Sequence, residues 1–260
     1  MILRRVISHF RKQEWTAIGL DFLIVVVGVF VGLQVSNWNE GRAVDQQSAL
    51  FTERLTADLL EEAWNFQFLV GYYDDVLTHA NKALAILKNE SPASDEALLI
   101  SAYRATQYNE AFRRRATYDE LTSTGNIGLF RDQTLRLTAM RIYTAPVFDD
   151  LANEGIASRY REAFRMIVPI HVQNALAANC GDRIIATGDF NSIVDALDYA
   201  CETGLPPQSI VDAASNLRSD KTLVPLLRLR IANIQTVAGN LTTYNPDIAS
   251  GLEAVMETSQ

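Results

Sequence analysis

Asp21-Phe-Leu-Ile-Val-Val-Val-Gly28-Val-Phe-Val-Gly32-Leu33 is the stretch on which the fold turns. Residues 22–33 are twelve consecutive apolar or glycine positions, and Asp21 is the only charged residue between Trp15 and Trp38. A helix separates those two tryptophans by roughly 34 Å at 1.5 Å per residue. That matches a bilayer core of about 30 Å with an aromatic ring at each interface. The segment therefore reads as one transmembrane helix over residues 15–38, with Trp15 and Trp38 as interface anchors and membrane lipid as its first partner.

The flanks orient it. Arg4, Arg5, Arg11 and Lys12 precede the span against the single acid Glu14, whereas Asn37, Asn39 and Glu40 follow it. The positive-inside rule places residues 1–14 in the cytoplasm as a basic segment and residues 39–260 outside. In a bacterium this means an inner-membrane, single-pass protein with a periplasmic C-terminal domain. A cleaved signal peptide is the competing reading. Gly41 and Ala43 supply small residues, but bulky, polar Asn37-Trp38-Asn39-Glu40 separates them from the apolar run, a poor processing region. Ile2, Leu3, Val6, Ile7 and Phe10 can share one face of the basic segment, either lying on anionic lipid or acting as a topology signal only.

The span has a face of its own. At 100° per residue, Val25, Gly28, Gly32 and Asn39 fall within about 40° of Asp21. Gly28 and Gly32 form a G-x-x-x-G step that lets helix backbones approach closely, and an intramembrane carboxylate usually faces a partner, a cavity or the interface. Asp21, Gly28 and Gly32 are thus a candidate packing face for a homo-oligomer or a membrane protein partner. The alternative is that Asp21 meets headgroups and the glycine spacing is chance.

The chain has 260 residues (28.9 kDa), is 48% hydrophobic and 21% charged, and carries a net charge of −8, a balance that excludes collagen, low-complexity chains and polytopic transporters. Residues 40–260 hold 19 basic against 29 acidic side chains, so the acidity belongs to the exported part and no nucleic-acid partner is expected. Apolar positions Leu55, Leu59, Phe66, Leu69, Tyr73, Val76, Ala80, Leu84 and Leu87 step at helical spacing, predicting a long helix over about 46–89 that continues the span. Asn89-Glu-Ser-Pro92 stops it, and Ser94-Asp-Glu starts the next with a cap and an acidic first turn. Further helices are expected at about 95–110, 132–145, 148–179, 191–203, 208–217, 220–243 and 246–257. Pro169 and Pro225 each predict a kink or boundary. The expected fold is all-α, one N-terminal transmembrane helix continuing into an elongated helical bundle.

Two stretches resemble a bacterial family of single-pass membrane proteins known only as a domain of unknown function. One is Asp21 through Glu40, similar to that family's acidic-start, valine-rich span ending in Asn-Trp-Asn; the other is Thr117-Tyr-Asp-Glu120-Leu-Thr-Ser-Thr-Gly125, similar to its Thr-aromatic-x-Glu-Leu-x-Ser-x-Gly segment. The resemblance runs to about residue 145. It departs at Asp21, where the family usually has Glu, and at Gly32, where Ala is commoner. It implies topology and a helical fold and brings no activity. Read physically, the second segment is a short helix at a structural corner. Thr117 and Glu120 have capping-box spacing and Gly125 stands where a left-handed cap falls.

Catalytic motifs are sought and not found. His9, His79 and His171 are scattered without ligand spacing, so no metal site is expected, and no phosphate-loop, dinucleotide, nucleophile-elbow or zinc-protease pattern occurs. No cofactor and no catalytic residue is assigned. Glu61/Glu62, Asp74/Asp75 and Asp149/Asp150 read as solvated helix faces, and Arg113-Arg114-Arg115 as locally paired with acids. Cys180 and Cys201 are expected to form a disulfide in an oxidising compartment, drawn together by an αα-hairpin around residues 182–200 and contributing on the order of 3 kcal/mol. Two buried free thiols are the alternative. The leading functional expectation is a membrane-anchored periplasmic interaction or sensory protein that acts through a partner, with about 14 residues on the cytoplasmic side. A periplasmic enzyme using carboxylates and a structural envelope spacer are the alternatives.

Overall fold

The computed structural model describes residues 15–110 and 113–258, with side chains of residues 19–110 and 113–257. The expected cytoplasmic segment 1–14 and the ring of Trp15 lie outside them. The described residues are helical and contain no strand. In chain order the helices are α1 (Trp15–Leu87), α2 (Asp95–Arg104), α3 (Ala116–Ser123), α4 (Gln133–Thr144), α5 (Val147–Ile156), α6 (Arg159–Ile167), α7 (Ile170–Cys180), α8 (Pro207–Ser219), α9 (Leu223–Thr242) and α10 (Pro246–Thr258). Short 3-10 turns occupy Asn126–Leu129 and Ile193–Asp195.

Two compact units are distinguished, residues 1–52 and 53–260. The first holds the one helical segment, among the described residues, that is long and apolar enough to cross a membrane. Its large apolar side chains from Leu20 to Val35 are all exposed.

The second unit has its own core. Leu55, Leu59, Leu69, Tyr73, Val76 and Ala80 of α1 are buried, as their spacing predicts. The principal cluster joins Ala80, Ala83 and Ile86 to Leu98, Leu99 and Ala102 of α2, Tyr160 and Phe164 of α6, Val172 and Leu176 of α7, Ala213 and Leu217 of α8, and Leu223 and Leu227 of α9. Elsewhere α4 packs on α10, and α5 on α9.

Helix ends follow local chemistry. The long helix stops at Leu87, and Asn89 takes the left-handed conformation (φ 59°) that terminates it. Ser94 caps α2 by accepting the Ala97 N–H at 3.1 Å. All seven prolines sit at boundaries. Pro92 lies in the α1–α2 loop, Pro146, Pro169 and Pro206 immediately precede helices, Pro207 and Pro246 open theirs, and Pro225 lies in the first turn of α9. There the missing N–H has no intrahelical partner to lose.

Four expectations are corrected. The helix expected at 95–110 ends at Arg104, where tight turns follow (Thr106 N–H to Tyr103 O, 2.8 Å; Gln107 N–H to Arg104 O, 3.0 Å). The single helix expected at 148–179 is three, broken at Pro169 and also at Ser158, whose hydroxyl accepts the Arg161 N–H that begins α6. The helix expected at 191–203 is instead an irregular strap, residues 181–206, whose only regular piece is the Ile193–Asp195 turn. The capping box of Thr117 and Glu120 does not form. Arg115 stands at the helix start without a side-chain cap, Thr117 is buried inside the first turn, and Glu120 pairs with Arg54 at 2.7 Å. Gly125 is left-handed (φ 72°) as expected, the conformation that lets the chain leave α3 at this corner.

Candidate functional site

The chemistry of the second unit gathers where α1 meets the strap. Along α1, Trp64, Phe68 and Tyr72 recur every four residues and their rings stack, with centroids 5.1 and 5.7 Å apart. Tyr72 is buried and its hydroxyl donates to the carboxylate of Asp182, where the strap begins, with both oxygens at 3.0 Å. Burial and the adjacent Asp182 charge push the Tyr72 phenol well above its ordinary range. A cleft of about 660 Å³ opens here, lined by Trp64, Phe68, Asn109, Arg114, Arg183 and Ile185, among others.

The far end of the strap walls a second cleft of about 390 Å³, lined by His79, Lys82, Glu96, Ser101, Arg104, Asp198, Tyr199 and Cys201, among others. Arg104 is 2% exposed and organises it. Its Nε donates to the carbonyl of Cys180 (3.1 Å), Nη1 to His79 Nε2 (3.2 Å) and Nη2 to the carbonyl of Tyr199 (3.0 Å), and Nη2 also lies 3.5 Å from Cys201 Sγ. Its guanidinium covers the Tyr199 ring at 4.5 Å, and Arg183 lies 3.6 Å from the same ring. The Tyr199 hydroxyl donates to Gly181 O at 2.6 Å. Thr203 donates from both N and Oγ1 to Glu96 Oε1, at 2.7 and 2.6 Å. Cys180 and Cys201 are disulfide-bonded, with Cα atoms 5.5 Å apart. The expected pairing thus stands on an irregular strap, because Arg104 and Glu96 take the strap's backbone groups that a helix would have used.

Ser101, His79 and Asp198 line one cleft and are the residue types of a nucleophile relay. Their geometry is not one. Arginine can only donate, so His79 Nε2 accepts and the neutral ring carries its proton on Nδ1. Burial and the adjacent Arg104 lower the His79 pKa to about 4, a poor base near neutral pH. His79 Nδ1 and Ser101 Oγ are buried and make no hydrogen bond. Asp75 lies one turn before His79 on α1, near Asp198 of the strap. Its carboxyl is raised to about 6 by burial and by the Asp198 and Asp74 charges.

Two further buried ion pairs tie the unit together. Glu62, fully buried, accepts from Arg113 Nε and from the Arg114 backbone N–H, each at 2.7 Å, while the Arg113 guanidinium lies 4.0 Å over the Phe148 ring. Burial raises the Glu62 pKa against the opposing pull of Arg113. Arg114 pairs with Glu61 and Arg115 with Asp119, so the arginine run is locally paired as expected. Arg230 of α9 is wholly buried. It pairs with Glu154 and donates to Gln107 O at 2.7 Å and Ala105 O at 3.4 Å. These carbonyls are those of the turns beyond α2.

The expected membrane-face and interface residues belong to the first unit. Asp21 is exposed, and a Cβ placed on Gly28 or Gly32 would meet nothing within 4 Å. Trp38 is exposed and Arg42 stacks on its ring at 4.5 Å. Glu62, expected on a solvated helix face, is instead buried because Arg113 and the Arg114 N–H replace its water, and it shares one signal with Arg230, which the sequence reading did not single out. Glu62 fills the register between Leu59 and Phe66, and Arg230 that between Leu227 and Ile234, so each is a charge inside an apolar stripe. Among the described residues no group of three or more His, Cys, Asp or Glu side chains is arranged to hold a metal ion. No family model, curated protein or solved structure matches the chain.

Proposed function

We propose that this chain is a membrane-anchored recognition protein of a bacterial inner membrane, with residues 1–14 cytoplasmic, 15–38 in the bilayer and 39–260 periplasmic. The observation that carries the reading is the complete exposure of the apolar segment. Leu20 to Val35 has no protein cover, and a bilayer supplies one at no cost in unpaired backbone groups. The basic flank supports the orientation. The disulfide suits an oxidising compartment.

The folded unit meets its partner or ligand at the clefts on either end of the strap, and the Asp21, Gly28 and Gly32 face packs against a second copy or another membrane protein. The likeness of residues 21–40 and 117–125 to a single-pass membrane family agrees with this placement. The carboxyl of Asp182, raised to about 6 by burial, argues for recognition over carboxylate catalysis, because the Tyr72 hydroxyl already engages it.

The test is cross-linking in intact bacterial membranes, followed by purification of the full chain and fractionation of inner and outer membranes. A specific co-purifying membrane protein or a self-adduct, weakened by Gly28→Leu/Gly32→Leu, is expected. Recovery in the soluble fraction, or from membranes with no adduct at all, overturns the reading.

A further inference from the structure

Arg104 poses the question. A buried guanidinium normally has a carboxylate beside it, because an uncompensated charge is costly to remove from water. Arg104 has none. Its partners are two carbonyls, a neutral imidazole nitrogen, a tyrosine ring and the sulfur of Cys201. The two sulfurs of the bridge are unequal. Cys180 is fully buried, whereas Cys201 is partly exposed and lines the open cleft.

We propose that the Cys180–Cys201 bridge is a redox-active site that accepts two electrons from a small dithiol, with Cys201 as the sulfur attacked and Arg104 as the counter-ion of the thiolate that reduction creates. This goes beyond the recognition role above and rests on the folded unit alone, independent of the membrane placement.

The reaction balances as two exchanges. A thiolate of the reductant attacks Cys201 Sγ, the sulfur reachable from the cleft. The Cys180–Cys201 bond breaks and its electron pair goes to Cys180 Sγ, which takes the proton that the reductant's first thiol gave up. A mixed disulfide now joins Cys201 to the reductant. The reductant's second thiol loses its proton to solvent and attacks its own sulfur in that mixed disulfide. The reductant leaves as an oxidised disulfide, and Cys201 remains as a thiolate beside Arg104 Nη2. The protein disulfide has gained two electrons and the dithiol has lost two.

Stabilisation of the product drives the exchange. Thiolates next to a cation titrate well below the ordinary thiol value of about 8.5, and a stabilised thiolate makes its disulfide easier to reduce. The charged groups lining the cleft beside Cys201 are Arg104 from α2, Lys82 from α1, Glu96 from α2 and Asp198 from the strap, with His79 from α1 neutral, and Asp75 of α1 and Asp182 of the strap also act on the Arg104 charge. Glu96 is turned onto Thr203. The guanidinium is the group in contact with the sulfur.

Reduction also has a structural consequence. The strap between Gly181 and Pro206 is irregular, tied at its two ends by the bridge and by the contacts of Arg104 and Tyr199. Opening the bridge removes the covalent tie and frees the strap to move off the cleft.

The experiment uses the full chain in lipid nanodiscs. It is equilibrated with graded ratios of reduced to oxidised dithiothreitol, quenched with acid and alkylated to count thiols, and the reduced wild type is titrated by thiolate absorbance. Expected are a Cys201 thiol that ionises below about pH 7.5 and a midpoint reached at a reductant ratio about tenfold lower in wild type than in Arg104→Met. The proposal is overturned if the wild-type thiol ionises at 8.5 or above, or if the bridge stays oxidised in the folded chain under excess dithiothreitol. The wild-type measurements stand if Arg104→Met fails to fold. If it folds, a midpoint within twofold of wild type also overturns the assignment and leaves the bridge a purely structural one.

Discussion

Replacing Arg230 by methionine puts the interior of the second unit to its hardest test. The Arg230 side chain is 0% exposed and its partner Glu154 9% exposed, so neither charge can turn to water when the other is removed. Methionine fills much of the same volume, so the loss is chiefly electrostatic. It leaves the Glu154 carboxylate without its cation, and Glu154 Oε1 already has no hydrogen bond. It also strips the donors from the carbonyls of Ala105 and Gln107. Breaking a buried pair in this way costs about 3–5 kcal/mol, a large share of a marginal total.

The double variant Arg230→Met/Glu154→Leu removes the orphaned carboxylate and leaves only the two carbonyls unserved. It is expected to recover part of the loss and to remain about 1–3 kcal/mol below wild type. Urea unfolding of the full chain in nanodiscs, followed by far-UV circular dichroism, measures both. A wild-type-like midpoint for the single variant, or a double variant less stable than the single, would refute the reasoning, because either result means the pair is hydrated or unformed.

Other perturbations probe the remaining contacts. Asp75→Asn is expected to raise stability at pH 7 by about 1–3 kcal/mol. The folded carboxyl at about 6 holds its proton more tightly than an unfolded one, so the wild type loses stability as pH rises from about 4 to about 6. The variant removes the Asp75 share of that slope in pH-dependent melts and leaves that of Asp182, whose carboxyl is also raised to about 6, and an unchanged slope sinks the attribution. His79 acts with the opposite sign. Its folded pKa of about 4 is below the ordinary value, so stability falls as pH drops from about 6.5 toward 4, and His79→Gln flattens this limb. Glu62→Ala leaves Arg113 unpaired and costs about 3–5 kcal/mol, whereas Glu62→Gln, which still accepts one bond, costs less. Gly251→Ala drives a Cβ to 2.8 Å from Thr138 Oγ1 and 2.9 Å from Cγ2, costing about 1–3 kcal/mol. Adding Thr138→Ala, which removes both atoms, restores most of that stability in the same urea assay.

What could be read locally was legible in the sequence. Uninterrupted apolar residues from Phe22 to Leu33 and their freedom from protein cover are one fact seen twice. Proline placement, the Ser94 cap and the left-handed Gly125 likewise depend only on neighbours a few residues away, and these features stand where the sequence puts them. The strap did not yield to the same reasoning. Residues 191–203 carry helical spacing, but Arg104 takes the Tyr199 carbonyl and Glu96 takes the Thr203 N–H. Each competing bond comes from a residue roughly a hundred positions earlier in the chain.

The same division explains the buried charges. Glu62, Arg104 and Arg230 sit in or beside apolar stripes, and periodicity alone marks such a residue as a break in the pattern. Whether a break faces solvent or becomes the centre of a core depends on whether a counter-ion or carbonyl arrives from elsewhere. Glu154 and Arg230 lie 76 residues apart, Glu62 and Arg113 lie 51 apart, and Arg104 reaches a carbonyl 95 residues away. Sequence by itself determined the helical character, the proline-marked boundaries, the Ser94 cap and the exposed apolar span, because those are set by bonds within a turn or by the absence of any polar group to satisfy. Only the tertiary structure decided which charges went inside, because burying a charge is favourable only where distant partners replace the water it leaves.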